Sequence, residues 1–189
     1  KGTYQPGVPF TEKELVERFQ VSKSPIREAL VALCSEGVLR NIPRCGYEVL
    51  KINEEDMKNV REFRILLECG ALNRYWDTIK PEHLDTLETM LQADSMKPGN
   101  LSQHWERNSN FHLALISIFN NKYLYDKLDD SLRFMARAYV QYRWNKWQQG
   151  VYVGQSKTHK TLIAHIRDNE KEKALQDLEN DINSFMRNE

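Results

Sequence analysis

The stretch TEKELVERFQVSKSPIREALVALCSEGVL, residues 11–39, decides the reading of this chain. Thr11 with Glu14 three residues later is a capping-box signature, in which a hydroxyl and a carboxylate each bond a backbone N–H at a helix start. Leu15, Val16 and Phe19 supply an apolar stripe behind it, so the pattern predicts a short helix over residues 11–20. Gln20-Val21-Ser22 reads as the turn. Ser24 at the cap and Pro25 at the first helical position then predict a second helix, with Ile26, Ala29, Leu30 and Leu33 recurring on one face. Gly37 ends it.

On the N-terminal side, KGTYQPGVPF is punctuated by Gly and Pro and reads as irregular or extended chain. On the C-terminal side, residues 38–41 and 47–50 read as two short strands around a turn containing Pro43, Arg44 and Gly46. Two short helices, a tight turn and a β-ribbon are the parts of a winged helix-turn-helix, whose second helix fits a DNA major groove. Burying the apolar face of that helix turns Lys23, Ser24 and Arg27 outward, where cations and a hydroxyl meet phosphates and base edges. Arg27 is the candidate base reader, because a guanidinium bonds two acceptors of guanine at once. Lys13 and Lys23 are candidate phosphate contacts. Arg44 beside Gly46 at the ribbon tip suits a minor groove, the glycine permitting the turn and a close backbone approach. The competing reading is a packing motif whose basic residues are a solvated face.

From Asn53 onward the texture becomes helical and rich in Glu, Lys, Leu and Asn, which sets a boundary between domains 1–52 and 53–189. Helices are predicted near 54–78, 81–94, 100–119, 122–146, 155–168 and 171–187. The fold class is mainly α, a winged helix followed by a six-helix antiparallel bundle. No internal repeat suggests a solenoid.

Composition agrees. The 189 residues are 40% hydrophobic and 29% charged, with 27 basic and 27 acidic side chains, so the chain as a whole is no nonspecific polyanion binder. Cys34, Cys45 and Cys69 are odd in number and form no C-x-x-C pair, which argues against a disulfide framework or zinc ribbon. No apolar run reaches the ~18 residues of a membrane span and no leader is evident, so the expected location is the cytoplasm.

The predicted bundle carries polar side chains where apolar faces should continue. His112 shares a face with Leu115, Ile116 and Phe119, with Asn108 one turn before it; His159 is in phase with Leu162, Ile163 and Ile166; Asp181 is in phase with Ala174 and Leu178. A carboxylate on such a stripe requires a cation or donors opposite it. Imidazole nitrogens with oxygen donors on facing helices suit zinc, nickel, manganese or iron. A metal-free pocket with the same residues as hydrogen-bond partners is the alternative. Arg64 is the candidate cation for an effector carboxylate; it is also placed for a local i,i+4 pair with Glu68.

The segments FTEKEL (10–15), ERFQVSKSPIREAL (17–30), LCSEGVL (33–39) and RCGYEV (44–49) resemble the DNA-binding half of GntR-family regulators. The resemblance implies that Lys13, Lys23, Ser24 and Arg27 contact DNA and that Gly46 lies at the wing tip. The family begins with a further helix ahead of Pro6-Gly7, whereas this chain starts at Lys1, so that helix is expected to be missing. Residues 54–187 are similar to the FCD domain of the FadR-like subfamily, through Arg64-Ile65-Leu66-Leu67-Glu68, Phe111-His112 with Asn120, His159 with Ile163, and Ala174 with Asp181. In that family an Asp four residues before the Phe-His histidine and two later histidines bind a divalent metal in the effector pocket. Here Asn108 replaces the aspartate and Asp181 the last histidine, which keeps two nitrogen and two oxygen donors.

The resemblance implies a homodimeric regulator, a repressor in the leading reading, that binds a palindromic double-stranded DNA operator under control of an organic or sugar acid. It implies no enzyme, and neither nucleophile spacing nor a phosphate-gripping Gly-rich loop is apparent. The rival readings are a helical metalloenzyme in which His112, His159 and Asp181 activate water, and a DNA-binding module with a non-sensing dimerisation bundle.

Overall fold

A computed structural model describes residues 4–95, 99–147, 151–152 and 157–184. The chain divides into two compact units, Lys1–Asn53 and Glu54–Glu189.

The first unit runs β1 (Pro9–Phe10), α1 (Glu12–Phe19), α2 (Lys23–Ser35), β2 (Leu39–Ile42) and β3 (Gly46–Val49). The Thr11 hydroxyl accepts from the Glu14 N–H at 3.3 Å while the Thr11 N–H donates to the Glu14 carboxylate at 3.0 Å, so the capping box is complete. Gln20 takes a left-handed conformation (φ 53°) and turns the chain into α2. The strands form an antiparallel sheet of order β1-β3-β2. Phe10, Leu15, Ile26, Leu30 and Leu39 make its core, edged by Leu33, Val38 and Val49.

Four local expectations shift. The N-cap of α2 is Ser22, not Ser24, and Pro25 stands in the first turn, where its missing N–H leaves no helical bond unmade. Phe19 is 58% exposed because α1 ends on it, and its ring packs under the Arg18 guanidinium 6.0 Å from the centroid. Ala29 is exposed, so α2 buries the narrower stripe of Ile26 and Leu30. The ribbon strands begin and end within a residue or so of the expected limits, and β1, too short to show a period, joins them.

The second unit runs α3 (Glu54–Arg74), a 3-10 turn (Trp76–Thr78), α4 (Pro81–Ser95), β4 (Gly99–Asn100), α5 (Leu101–Ser117), α6 (Lys122–Trp147), β5 (Val151–Tyr152), α7 (Lys157–Arg167) and α8 (Lys171–Ser184). Six α-helices are thus present among the described residues; the expected end points at 155 and 187 lie outside them. The first expected helix stops at Arg74 and tightens, and the Trp76 indole N–H donates to the Asn169 side chain at 3.0 Å across the unit. Asn120 and Asn169 adopt positive φ (51° and 56°) at the ends of α5 and α7, a conformation asparagine tolerates. One small antiparallel pairing, β4 with β5, was not foreseen; two residues per strand carry no readable alternation.

Helix α3 packs against α8, α6 and α5, and α7 packs against α8 and α4. Leu72, Phe111, Leu115, Ile116, Leu128, Leu162, Ala174 and Leu178 are fully buried among them. Into the same interior the fold carries Arg64 and Glu68 from α3, His112 from α5, His159 from α7 and Asp181 from α8.

Candidate functional site

The buried polar residues form one connected chain of contacts. Arg64 Nε donates to Glu68 Oε1 at 2.8 Å, the i,i+4 pair that the spacing allowed. The other Glu68 oxygen lies 2.5 Å from His112 Nδ1. His112 Nε2 lies 3.0 Å from Asp181 Oδ2, and His159 Nε2 lies 3.2 Å from the same oxygen. Phe111 stacks on the His159 ring at 3.8 Å between centroids, and the two imidazoles meet edge to face.

Burial opposes every charge in this row, and neighbours decide which charges survive. Burial raises the Glu68 pKa, but Arg64 and then His112 outweigh it, and the carboxyl is held below its ordinary value. Burial likewise disfavours a charged His112, yet Glu68 and the contact with Asp181 raise its pKa. Both ring nitrogens of His112 face carboxylate oxygens, and only imidazolium has a proton for each. His159 has only Asp181 to offset burial, so its pKa is lowered. The hydrogen bonds from both rings hold the Asp181 carboxyl well below the usual carboxylate range despite burial.

Two imidazole Nε2 atoms converging on one carboxylate oxygen are a donor set that fits a divalent first-row ion. His112, His159 and Asp181 each offer a ligand atom, all within 4.8 Å of one another and all buried. The Glu68 contact on His112 Nδ1 supplies the outer carboxylate that orients a metal-ligating histidine and fixes its tautomer. Asn108, the fourth sequence candidate, stands half-buried one turn before His112. Glu68 entered the sequence reading only as a partner for Arg64; its place on the interior face of α3, with Arg64, Ala71 and Leu72, was the available signal.

Arg64 is 2% exposed, and its Nη2 is buried without a hydrogen-bond partner. The guanidinium therefore serves Glu68 through Nε and keeps a donor to spare.

In the first unit Lys13, Lys23, Ser24, Arg27 and Arg44 are all exposed. Arg27 reaches from α2 to Glu12 at the start of α1, with Nε 2.9 and 3.1 Å from the two carboxylate oxygens. Lys13 pairs loosely with Glu17 at 3.7 Å, and the Ser24 hydroxyl contacts Glu28 at 3.4 Å. Arg44 projects from the turn between β2 and β3 with φ 66°. Gly46 opens β3 at φ 113°, and a Cβ there would stand 2.3 Å from the Phe10 carbonyl oxygen. The close approach this glycine makes is to β1 of its own sheet.

Comparison with known proteins places this architecture in a class. Residues 1–49 match the family model of bacterial regulatory proteins of the gntR family, and residues 59–183 match that of the FCD domain. The chain belongs to the gntR family and carries an FCD domain. It is 31% identical over 131 residues to the HTH-type transcriptional regulator YdhC of Bacillus subtilis, covering 68% of this chain and 58% of that protein. It is 30% identical over 143 residues to the HTH-type transcriptional repressor RspR of Escherichia coli, covering 71% of this chain and 63% of the relative. The chain thus spans about three fifths of the length of these relatives. Its fold is shared with E. coli McbR/YncC at a TM-score of 0.73 and 21% identity, over 97% of this chain and 87% of that one. No helix among the described residues is long and apolar enough to cross a membrane.

Proposed function

We propose that the chain is a transcription regulator that reads DNA through its first unit and senses a small carboxylate through its second. The observation that carries the reading is the joining, in one chain, of an exposed Lys23–Ser24–Arg27 helix start with a buried Arg64–Glu68–His112–Asp181–His159 row. The family match and the likeness to a named repressor favour repression of transcription, in the cytoplasm.

On the DNA side, Arg27 reads a base edge, Lys13, Lys23 and Ser24 hold phosphates, and Arg44 at the wing enters a minor groove. Gly46 lets the wing start where β1 crosses it. On the sensing side, His112, His159 and Asp181 would hold a zinc, nickel, manganese or iron ion, with the Asn108 amide as a weak fourth donor. Such an ion would supply an electrophilic anchor for the effector's carboxylate. Arg64 aims its spare N–H at the same anion.

The operator reading requires two copies. Phe63 (41% exposed) and Leu66 (77% exposed) lie on α3 with Gly70, on the face opposite Arg64 and Glu68. An apolar stripe on the outer face of a helix whose inner face is already buried suits an isologous contact with a second copy, and so a palindromic site. Because sensing residues and stripe alternate along one helix, a ligand at Arg64 bears on the dimer contact.

Metal analysis of the purified protein together with thermal-shift titration against organic acids tests the sensing half. Bound metal and an acid-dependent stabilisation, both lost in His112→Ala, are expected. No metal and no shift would favour a bundle that only dimerises.

A further inference from the structure

Among the described residues, two buried side-chain polar atoms lack a hydrogen-bond partner: Arg64 Nη2 and Ser109 Oγ. Unpaired buried groups are uncommon and each calls for an explanation. The Ser109 hydroxyl is unlike its counterparts in this bundle. Thr86, Thr89, Ser117, Ser131, Thr161 and Ser184 all donate to a carbonyl three or four residues earlier in their own helices. A helical serine has that option at all times, and at Ser109 it is not taken.

The placement of the two atoms links them. Ser109 stands on α5 one turn before His112 and on the same inward stripe as Trp105 and Ile116; Arg64 stands on α3 one turn before Glu68, which touches His112. Each unpaired atom therefore lies one helical turn from the His112–Glu68 contact, on a different helix. Their chemistry differs. Arg64 Nη2 is a charged donor and can only give a proton to an acceptor, whereas a serine hydroxyl both gives and accepts. Around them the row is charge-balanced, Arg64 with Glu68 and His112 with Asp181, so a single spare cationic N–H matches a single anion. A second carboxylate set against Ser109 alone would be a buried charge without a counter-charge, whereas a neutral hydroxyl would pair there without that cost.

We propose that Ser109 and Arg64 form a two-point recognition element, selecting a monocarboxylate that carries a hydroxyl on the adjacent carbon. Arg64 takes the carboxylate and Ser109 the hydroxyl. The inference rests on the acid-sensing reading above and narrows its ligand class to hydroxy acids.

The test compares matched acids that differ in that hydroxyl: lactate with propionate, glycerate with 3-hydroxypropionate, and gluconate with 2-deoxygluconate. Binding to the full chain is measured by calorimetry. In at least one pair the wild-type protein should bind the hydroxylated member about tenfold more tightly, the worth of one buried hydrogen bond. Ser109→Ala should bring that ratio close to one by weakening only the hydroxylated member, and Ser109→Thr, which keeps a hydroxyl, should restore it. Arg64→Lys, which keeps a cation for Glu68 but loses Nη2, should weaken both members alike. Alanine suits a helix interior, so Ser109→Ala should fold normally. Binding without discrimination, or discrimination that survives Ser109→Ala, overturns this element and leaves acid sensing standing. Failure of all six acids to bind the wild-type protein overturns acid sensing and this element with it.

Discussion

His112 and Asp181, 69 residues apart in the chain, meet with Nε2 3.0 Å from Oδ2 inside the helical unit, and His159 reaches the same oxygen. One carboxylate oxygen holds two imidazoles in place, and Glu68 holds the first of them from behind.

That backing has a measurable worth. Glu68→Gln keeps the shape and a hydrogen-bonding group but removes the charge that orients His112. Outer carboxylates of this kind typically contribute about 10–100-fold to metal affinity. Competition against a chelator should show a loss in that range for Glu68→Gln, and loss of the site in His112→Ala. Equal affinity in Glu68→Gln and the wild type would remove Glu68 from the site.

The four titrating groups give the unit a stability maximum near pH 6.5. His112 has a raised folded pKa, so its contribution is complete below the ordinary value of 6.5 and is lost as pH rises through the folded value. His159 has a lowered folded pKa, so its contribution is complete above 6.5 and is lost as pH falls. Glu68 and Asp181, both lowered, add a further loss as pH falls below their ordinary values of 4.5 and 3.8. Melting temperature measured from pH 3 to 9 on metal-free protein should trace this dome. Replacing His112 by Gln should flatten its alkaline side.

Much of this was legible in the sequence. The capping box at Thr11 and Glu14, the asparagine helix ends at 120 and 169, and the convergence of His112, His159 and Asp181 follow from local chemistry and from period. Phe19 and Ala29 were misplaced because periodicity names a face but not how far the neighbouring core extends along it. Gly46 was given to a DNA approach because the crossing of β1, two residues long, left no periodic trace. Glu68 was hidden by its adequate local partner, Arg64; its second oxygen finds His112 only once α3 and α5 are side by side.

Gly46→Ala tests the wing's construction. The new Cβ would collide with the Phe10 carbonyl in a backbone conformation that L side chains rarely adopt. The cost should be about 2 kcal/mol or more, seen as an earlier urea transition of the first unit with the second unit unchanged. An unaltered transition would contradict the β1–β3 crossing.

Leu66→Glu tests the outer face of α3. At 77% exposure the side chain contributes little to the fold, so stability should change by less than about 0.5 kcal/mol. Sedimentation should show a shift from dimer to monomer. A dimer of undiminished strength would move the contact elsewhere.

The central claim, that the first unit reads DNA sequence under control of the second, is tested most directly by footprinting on DNA from the region upstream of the protein's own coding sequence. Wild-type protein should protect a palindromic site, a hydroxy acid bound in the bundle should change that protection, and Arg27→Ala should lose it while retaining weak, salt-sensitive binding through Lys13 and Lys23. Unchanged sequence-specific protection by Arg27→Ala, or a footprint indifferent to every acid that binds the bundle, would contradict the account.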